Sequence, residues 1–414
     1  MDHQVKTGIL ANGMRYVAAH DPGAKSMSFQ MLTLAGSRME SPGKLGLAHL
    51  CEHLMFDGTA QHPNANDLIA QISEYGGQLN AYTSSDLAVY HAKMTPQHYD
   101  LVFSFFSEIL YHSLFTDESI EREKNVVLQE IAMRTGNPVA MLAMVLLPQR
   151  AWQDTPAAEP VGGREADIRS ITRADVLDFV DKMYRPENIV LSMAGNLPPF
   201  NVLEKSLDKY FSFNVKNKPM PAVPLAKRIK QDETFTYEMK MSQNDATVAM
   251  VFPYMTNRLE KYVDVLSNVL MDTMSSRLFV ELRTKTGLIY SVSPLSNQLR
   301  DVGLFGFLFQ TENKEEKVAQ AANLSLEVLN SLVLQGITEQ ELARAKTYIE
   351  EKHYLALEDT MTLASFYGQE LLLKGKIRPY RELLTETQAL TLEDIHYAAG
   401  ELFSVSRLNL AVFT

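Results

Sequence analysis

Midway along the chain, residues 212–230 read SFNVKNKPMPAVPLAKRIK, with three prolines and several lysines between two apolar-periodic regions. Such a stretch favours an exposed, semi-extended connection over a packed element. It divides the 414 residues into nearly equal halves, so duplication is the first pattern to look for. In the first half, residues 14–20 and 27–34 read as strands, 46–55 and 65–74 as helices, and 78–82 and 87–94 as strands again. Helical patterns fill 98–135, and a strand returns at 189–194. The second half opens on alternating Phe235, Tyr237, Met239 and Met241, then a strand at 247–252 and a helical stretch at 262–283. Strands follow near Tyr290 and at 304–309, helices at 315–334 and 339–357, and a closing strand at 408–413. Both halves thus run strands, helix, strands, a block of helices and a final strand. Runs of strands followed by runs of helices favour an α+β layer over a doubly wound parallel sheet. The expectation is two copies of one α+β unit, residues 1–212 and 229–414, joined by a linker at 213–228.

Composition narrows the function. A formal net charge of −11 offers no basic stripe to displace phosphate counterions, which argues against nucleic acid as a partner. The single cysteine, Cys51, allows no intrachain disulfide and suits a reducing compartment. No cationic start followed by an apolar run is readable at residues 1–16. The longest apolar run, residues 139–147, stops at Pro148, whereas a membrane helix needs about 20 residues. A soluble, cytoplasmic protein without a membrane partner is the expectation.

The sharpest local feature is His49-Leu50-Cys51-Glu52-His53. On a helix, His53 lies about 40° from His49, and Glu52 about 60° to the other side. One face therefore carries two imidazoles able to bite one Zn²⁺ and a carboxylate beside them as a possible base. The order H-x-x-E-H reverses H-E-x-x-H and is the inverzincin pattern. Cys51 points to the opposite face and reads as a core residue. The competing reading is a surface helix carrying these residues by chance. Against it, the motif sits in an apolar segment bracketed by Gly46 and Gly58.

A tetrahedral catalytic zinc takes a third protein ligand and leaves the fourth position to water. The helical stretch 121–130 offers Glu123 and Glu130, two turns apart on one face. Spacing alone equally allows a solvated acidic stripe there. Taken by themselves, Arg283 reads as a charge near a helix C-terminus, Gly287 as the helix stop and Tyr290 as a strand aromatic.

These residues together resemble the pitrilysin/insulinase family of zinc metallopeptidases. The likeness takes in Gly36-Ser37-Arg38, the H-x-x-E-H motif with Glu130 placed 77 positions after His53, and Glu123 ahead of Glu130. It continues through Gly76-Gly77-Gln78-Leu79-Asn80-Ala81-Tyr82-Thr83, Tyr184-Arg185-Pro186-Glu187-Asn188 and Gly195-Asn196. In the second half, Leu282-Arg283 with Gly287-Leu288-Ile289-Tyr290-Ser291-Val292 resembles the family's arginine–tyrosine element. By length the chain is similar to the short members, including mitochondrial processing peptidase subunits and bacterial relatives.

The resemblance implies two homologous domains, each a mainly antiparallel sheet packed with helices, together forming half of a clamshell. It implies one Zn²⁺ per chain on His49, His53 and Glu130, Glu52 as general base, and Glu123 as a supporting carboxylate. Asn80, Ala81 and Tyr82 would lie on a strand edge that pairs with a peptide substrate. Arg283 and Tyr290 would stabilise the tetrahedral oxyanion. The second domain, which has no H-x-x-E-H, would be the non-metallated copy, with His353 and His396 isolated. The function implied is a zinc endopeptidase acting on peptides or unfolded segments inside a dimeric chamber. A homodimer is the simplest form, a heterodimer with a homologous chain the alternative. A second family role, that of a non-catalytic or partner-dependent core subunit, usually goes with lost ligands.

Overall fold

The computed structural model describes residues 3–213, 222–226, 235–239, 245–404 and 408–413. Most of the proline-rich linker, and Met241 of the alternating run, lie outside them. Two compact units emerge, and each borrows a segment from the other half of the sequence. The first comprises residues 1–133, 159–224 and 355–378; the second comprises 134–158, 225–354 and 379–414.

The first unit is built on a six-stranded sheet of β1 (Gln4–Ile9), β2 (Arg15–His20), β3 (Met27–Thr33), β4 (Gln78–Thr83), β5 (Ala88–Met94) and β6 (Ile189–Gly195). Their order is β1-β2-β6-β3-β5-β4, antiparallel throughout except for the β2/β6 pair. β3 and β6 are buried along their whole length, because both faces of the sheet are covered. On one face, Phe29 and Met31 pack with Phe103, Phe106 and Phe211. On the other, Val17, Leu32 and Val190 meet Leu363, Ala364 and Tyr367 of the borrowed helix Thr360–Lys374.

That helix lies unusually close to the sheet. Thr360 Oγ1 is 2.8 Å from Ser28 Oγ, and Ser192 Oγ donates to the Ala364 carbonyl at 2.6 Å. A Cβ on Gly368 would stand 2.7 Å from Leu32 Cδ1 and 2.8 Å from Ser192 Cβ. Gly368→Val should therefore lower the stability of this unit by about 1–3 kcal/mol through overpacking, read as a lower urea midpoint.

The second unit repeats the connectivity. Its strands are β7 (Phe235–Met239), β8 (Asp245–Met255), β9 (Ile289–Pro294), β10 (Asn297–Gln298), β11 (Val302–Glu312) and β12 (Asn409–Phe413). Here β7 runs parallel to β12, and β12, β8, β11 and β9 follow in antiparallel steps. The same sequence of neighbours, β2, β6, β3, β5 and β4, runs through the first sheet, with its one parallel pair in the same place. Two sheets with one wiring diagram bear out the expected pair of α+β units. The borrowed segment here covers β8 and β12: Leu142, Leu147 and Trp152 pack with Ala249, Val251 and Ala411.

Two differences from the sequence reading have local causes. β1 carries no clear strand pattern in the sequence because it is an exposed edge whose burial alternates only weakly, with Ile9 72% exposed. The helix expected over 262–283 runs instead as Thr256–Leu270, stops, and resumes at Arg277. The polar sequence Asp272-Thr273-Met274-Ser275-Ser276 supplies the break, with Ser267 Oγ donating to Asp272. Among the described residues no single helix is long and apolar enough to cross a membrane.

Candidate metal centre

Three elements build the site: β4 and the helices α1 (Leu47–Leu54) and α2 (Asp117–Thr135). α1 packs by Leu47, Ala48, Leu50, Cys51 and Leu54, all buried. Cys51 is a fully buried free thiol, and burial pushes its pKa up, so it behaves as a core residue, as its helical phase predicts. α2 turns Ile120 and Val127 into the core, which leaves Glu123 and Glu130 along the flank that faces α1.

His49, His53 and Glu130 converge. Their donor atoms all lie within 4.8 Å of one another, and among the described residues they form the one such cluster. His49 Nε2 and His53 Nε2 are 3.3 Å apart. Glu130 reaches His49 Nε2 at 3.5 Å through Oε2 and His53 Nε2 at 3.7 Å through Oε1. Donors about 2.0–2.1 Å from a tetrahedral zinc stand roughly 3.3–3.4 Å from each other. The spacing and the N,N,O donor set therefore fit zinc.

The surrounding groups orient these donors. His53 Nδ1 lies 3.2 Å from Glu123 Oε2, a contact that keeps the ring proton on Nδ1 and turns the Nε2 lone pair toward the cluster. Burial disfavours the His53 imidazolium, but the Glu123 hydrogen bond and the charges of Glu130 and Glu52 outweigh it and raise the pKa. Glu123 is in turn 3.6 Å from Arg122 Nε, and Arg122 is also held by Asp57.

Glu52 is 9% exposed, and Thr83 Oγ1 donates to its Oε2 at 2.5 Å. Burial raises the Glu52 pKa, Thr83 and His53 oppose that, and Glu130 adds to it. Thr83, the last residue of β4, was not singled out from sequence. Its position at the end of the Gly76–Thr83 resemblance was the available signal.

Asn80, Ala81 and Tyr82 lie on β4, the terminal strand of the sheet, whose outer edge has no strand partner among the described residues. In the second unit, Arg283 sits on a π-helical turn, Val280–Lys285, a device common at functional sites. Its guanidinium lies 5.1 Å from the centroid of the Tyr290 ring, and Nη1 donates to the Ile289 carbonyl at 3.4 Å. Tyr290 is 80% exposed. The arginine and tyrosine expected to act together are therefore paired. His353 and His396 join no metal-ligand cluster among the described residues.

The fold and the cluster define a class: a duplicated α+β scaffold carrying a His-His-Glu donor set in its first copy. Residues 15–165 match the family model described as Insulinase (Peptidase family M16), and residues 170–349 match the Peptidase M16 inactive domain. The chain belongs to this insulinase family. A Bacillus subtilis relative named as an uncharacterized zinc protease is 30% identical, over 97% of this chain and 96% of its own length. A Rickettsia felis protein of the same description is 27% identical over 95% of this chain and 94% of its own. The crystal structure of a protease from Helicobacter pylori shares the fold, with a TM-score of 0.90, 23% identity and 100% coverage of both chains.

Proposed function

We propose that the chain is a zinc-dependent endopeptidase that hydrolyses peptides or unfolded polypeptide segments. The observation that carries this is the convergence of His49, His53 and Glu130 at zinc-like spacing, with the buried carboxylate of Glu52 on the same helix face. A bound Zn²⁺ would supply Lewis acidity, making water a competent nucleophile near neutral pH. Glu52 takes the proton from the attacking water and hands it to the leaving amine, while Thr83 fixes its Oε2. Glu123 holds His53 in the tautomer that ligates. The outer edge of β4 would bind substrate backbone by strand addition through Asn80–Tyr82, with side-chain pockets left to set specificity. Arg283 and Tyr290 would stabilise the developing oxyanion in a site completed by a second copy of the chain.

A non-catalytic core subunit is the other reading. The match to the inactive-domain model covers residues 170–349, outside the segment that carries the donors. The intact donor set in the first half supports the enzyme.

Metal stoichiometry tests the assignment. Elemental analysis of the unsupplemented protein should give close to one zinc per chain, lost in His49→Ala and in His53→Ala. Zinc retained in both variants would overturn the ligand set.

A further inference from the structure

Eight residues make a short helix, and α1 has no cap of its own. The first N–H groups of any helix lack intrahelical acceptors. The residue before α1 is Gly46, at φ +90°, which has no side chain to accept them. Nor could another residue take its place. A Cβ there would lie 2.5 Å from Ile168 Cδ1 and 2.8 Å from the Gly162 carbonyl, in a backbone region that L side chains rarely adopt.

Glu40 supplies the acceptors from outside the helix. Its Oε2 accepts from the Gly46 N–H and its Oε1 from the Ala48 N–H, both at 2.8 Å. Ala48 immediately precedes His49. The chain just ahead of Glu40 is itself pinned. Arg38, 1% exposed, pairs with Asp86 at 2.9 Å and donates to the Pro224 carbonyl at 2.7 Å.

We propose that Glu40 is a positioning residue for the metal ligands: by bonding both Gly46 and Ala48, its carboxyl group fixes the first turn of α1 and thereby sets the place of His49. This rests on the reading of His49, His53 and Glu130 as a metal centre. Glu40 acts through the backbone, at the N–H groups of Gly46 and Ala48. The arrangement is held against an electrostatic cost. Burial, with the charges of Asp167 and Glu159, pushes the Glu40 carboxyl up to about 8 even though the two N–H groups pull it down.

The test is zinc affinity of the full-length protein, measured by chelator competition, with the visible spectrum of the Co²⁺-substituted form as a report on ligand geometry. Glu40→Gln keeps the shape but turns an amide NH₂ toward one of the two donors. Glu40→Ala removes both acceptors. We expect roughly 10-fold weaker zinc binding for Glu40→Gln and up to about 100-fold for Glu40→Ala, the range seen when groups supporting a ligand are removed. The cobalt spectrum should change in both, and excess Zn²⁺ should restore most of the lost hydrolysis. Wild-type affinity and an unchanged spectrum in Glu40→Gln would overturn the proposal, as would a melting temperature of its metal-free form that falls while metal affinity does not. If His49→Ala also kept its zinc, the metal-centre reading itself would fall. Zinc lost from His49→Ala but held normally by Glu40→Gln would reject the role of Glu40 alone.

Discussion

Glu52→Gln should cut peptide hydrolysis by roughly 10²–10⁴-fold and leave the zinc content near one per chain. The substitution preserves size and can still accept the Thr83 hydroxyl, so the helix face and the donor cluster have no reason to move. It removes what the proposed mechanism needs at this position, a carboxylate able to take a proton and return it. Removing a negative charge beside Glu130 slightly weakens the electrostatic pull on a cation, yet none of the three donors is touched. The loss should fall on kcat, with KM close to wild type, because the proton moves only in the transition state. Zinc analysis and steady-state kinetics on the same preparation decide it. Near wild-type cleavage would remove Glu52 from the mechanism, and loss of metal along with activity would make it a ligand.

The reach of the sequence differed between the fold and the site. A buried strand such as β6 announces itself through unbroken apolar or small residues, and the H-x-x-E-H helix through its phase. What periodicity cannot tell is which partner a buried face meets. Leu363, Ala364, Tyr367 and Leu371 mark a helix that must be covered, but nothing in their spacing names Val17 and Leu32, more than 300 positions earlier, as the cover. The exchange of segments between the two units was for that reason invisible.

The site shows the same limit on a smaller scale. His49, Glu52 and His53 lie within one turn and a half of helix, where geometry follows from spacing. Glu123 and Glu130 shared a face, but whether that face met solvent or the histidines depended on how α2 packs, a question of distant contacts. The 3.2 Å approach of Glu123 to His53 answers it for that residue. Thr83 and Glu40 were less legible still. Thr83 reaches Glu52 across 31 positions, and Glu40 caps a helix that begins seven residues later, outside the usual capping spacing.

Mixing Glu52→Gln chains with Tyr290→Phe chains, each inactive alone, should restore measurable peptide hydrolysis. The expectation follows from how the chemistry is divided along the polypeptide. The donor cluster and Glu52 belong to the first unit, whereas the Arg283–Tyr290 pair, assembled on its π-helical turn and on β9, belongs to the second. If two copies of the chain complete each other's sites, a mixed dimer contains one site with an intact metal motif facing an intact Tyr290. Its other site carries both lesions. Random exchange of equal amounts places about half of the dimers in the mixed form, each with one working site of two. The mixture should therefore approach a quarter of wild-type activity, far above either parent. Tyr290 suits this role physically, because its ring is exposed and held by the Arg283 guanidinium without being packed into its own core. The control is subunit exchange itself, followed with differently labelled chains. Absence of rescue despite proven exchange would reject completion in trans. So would full activity in a strictly monomeric species, which would place both halves of the chemistry within one chain.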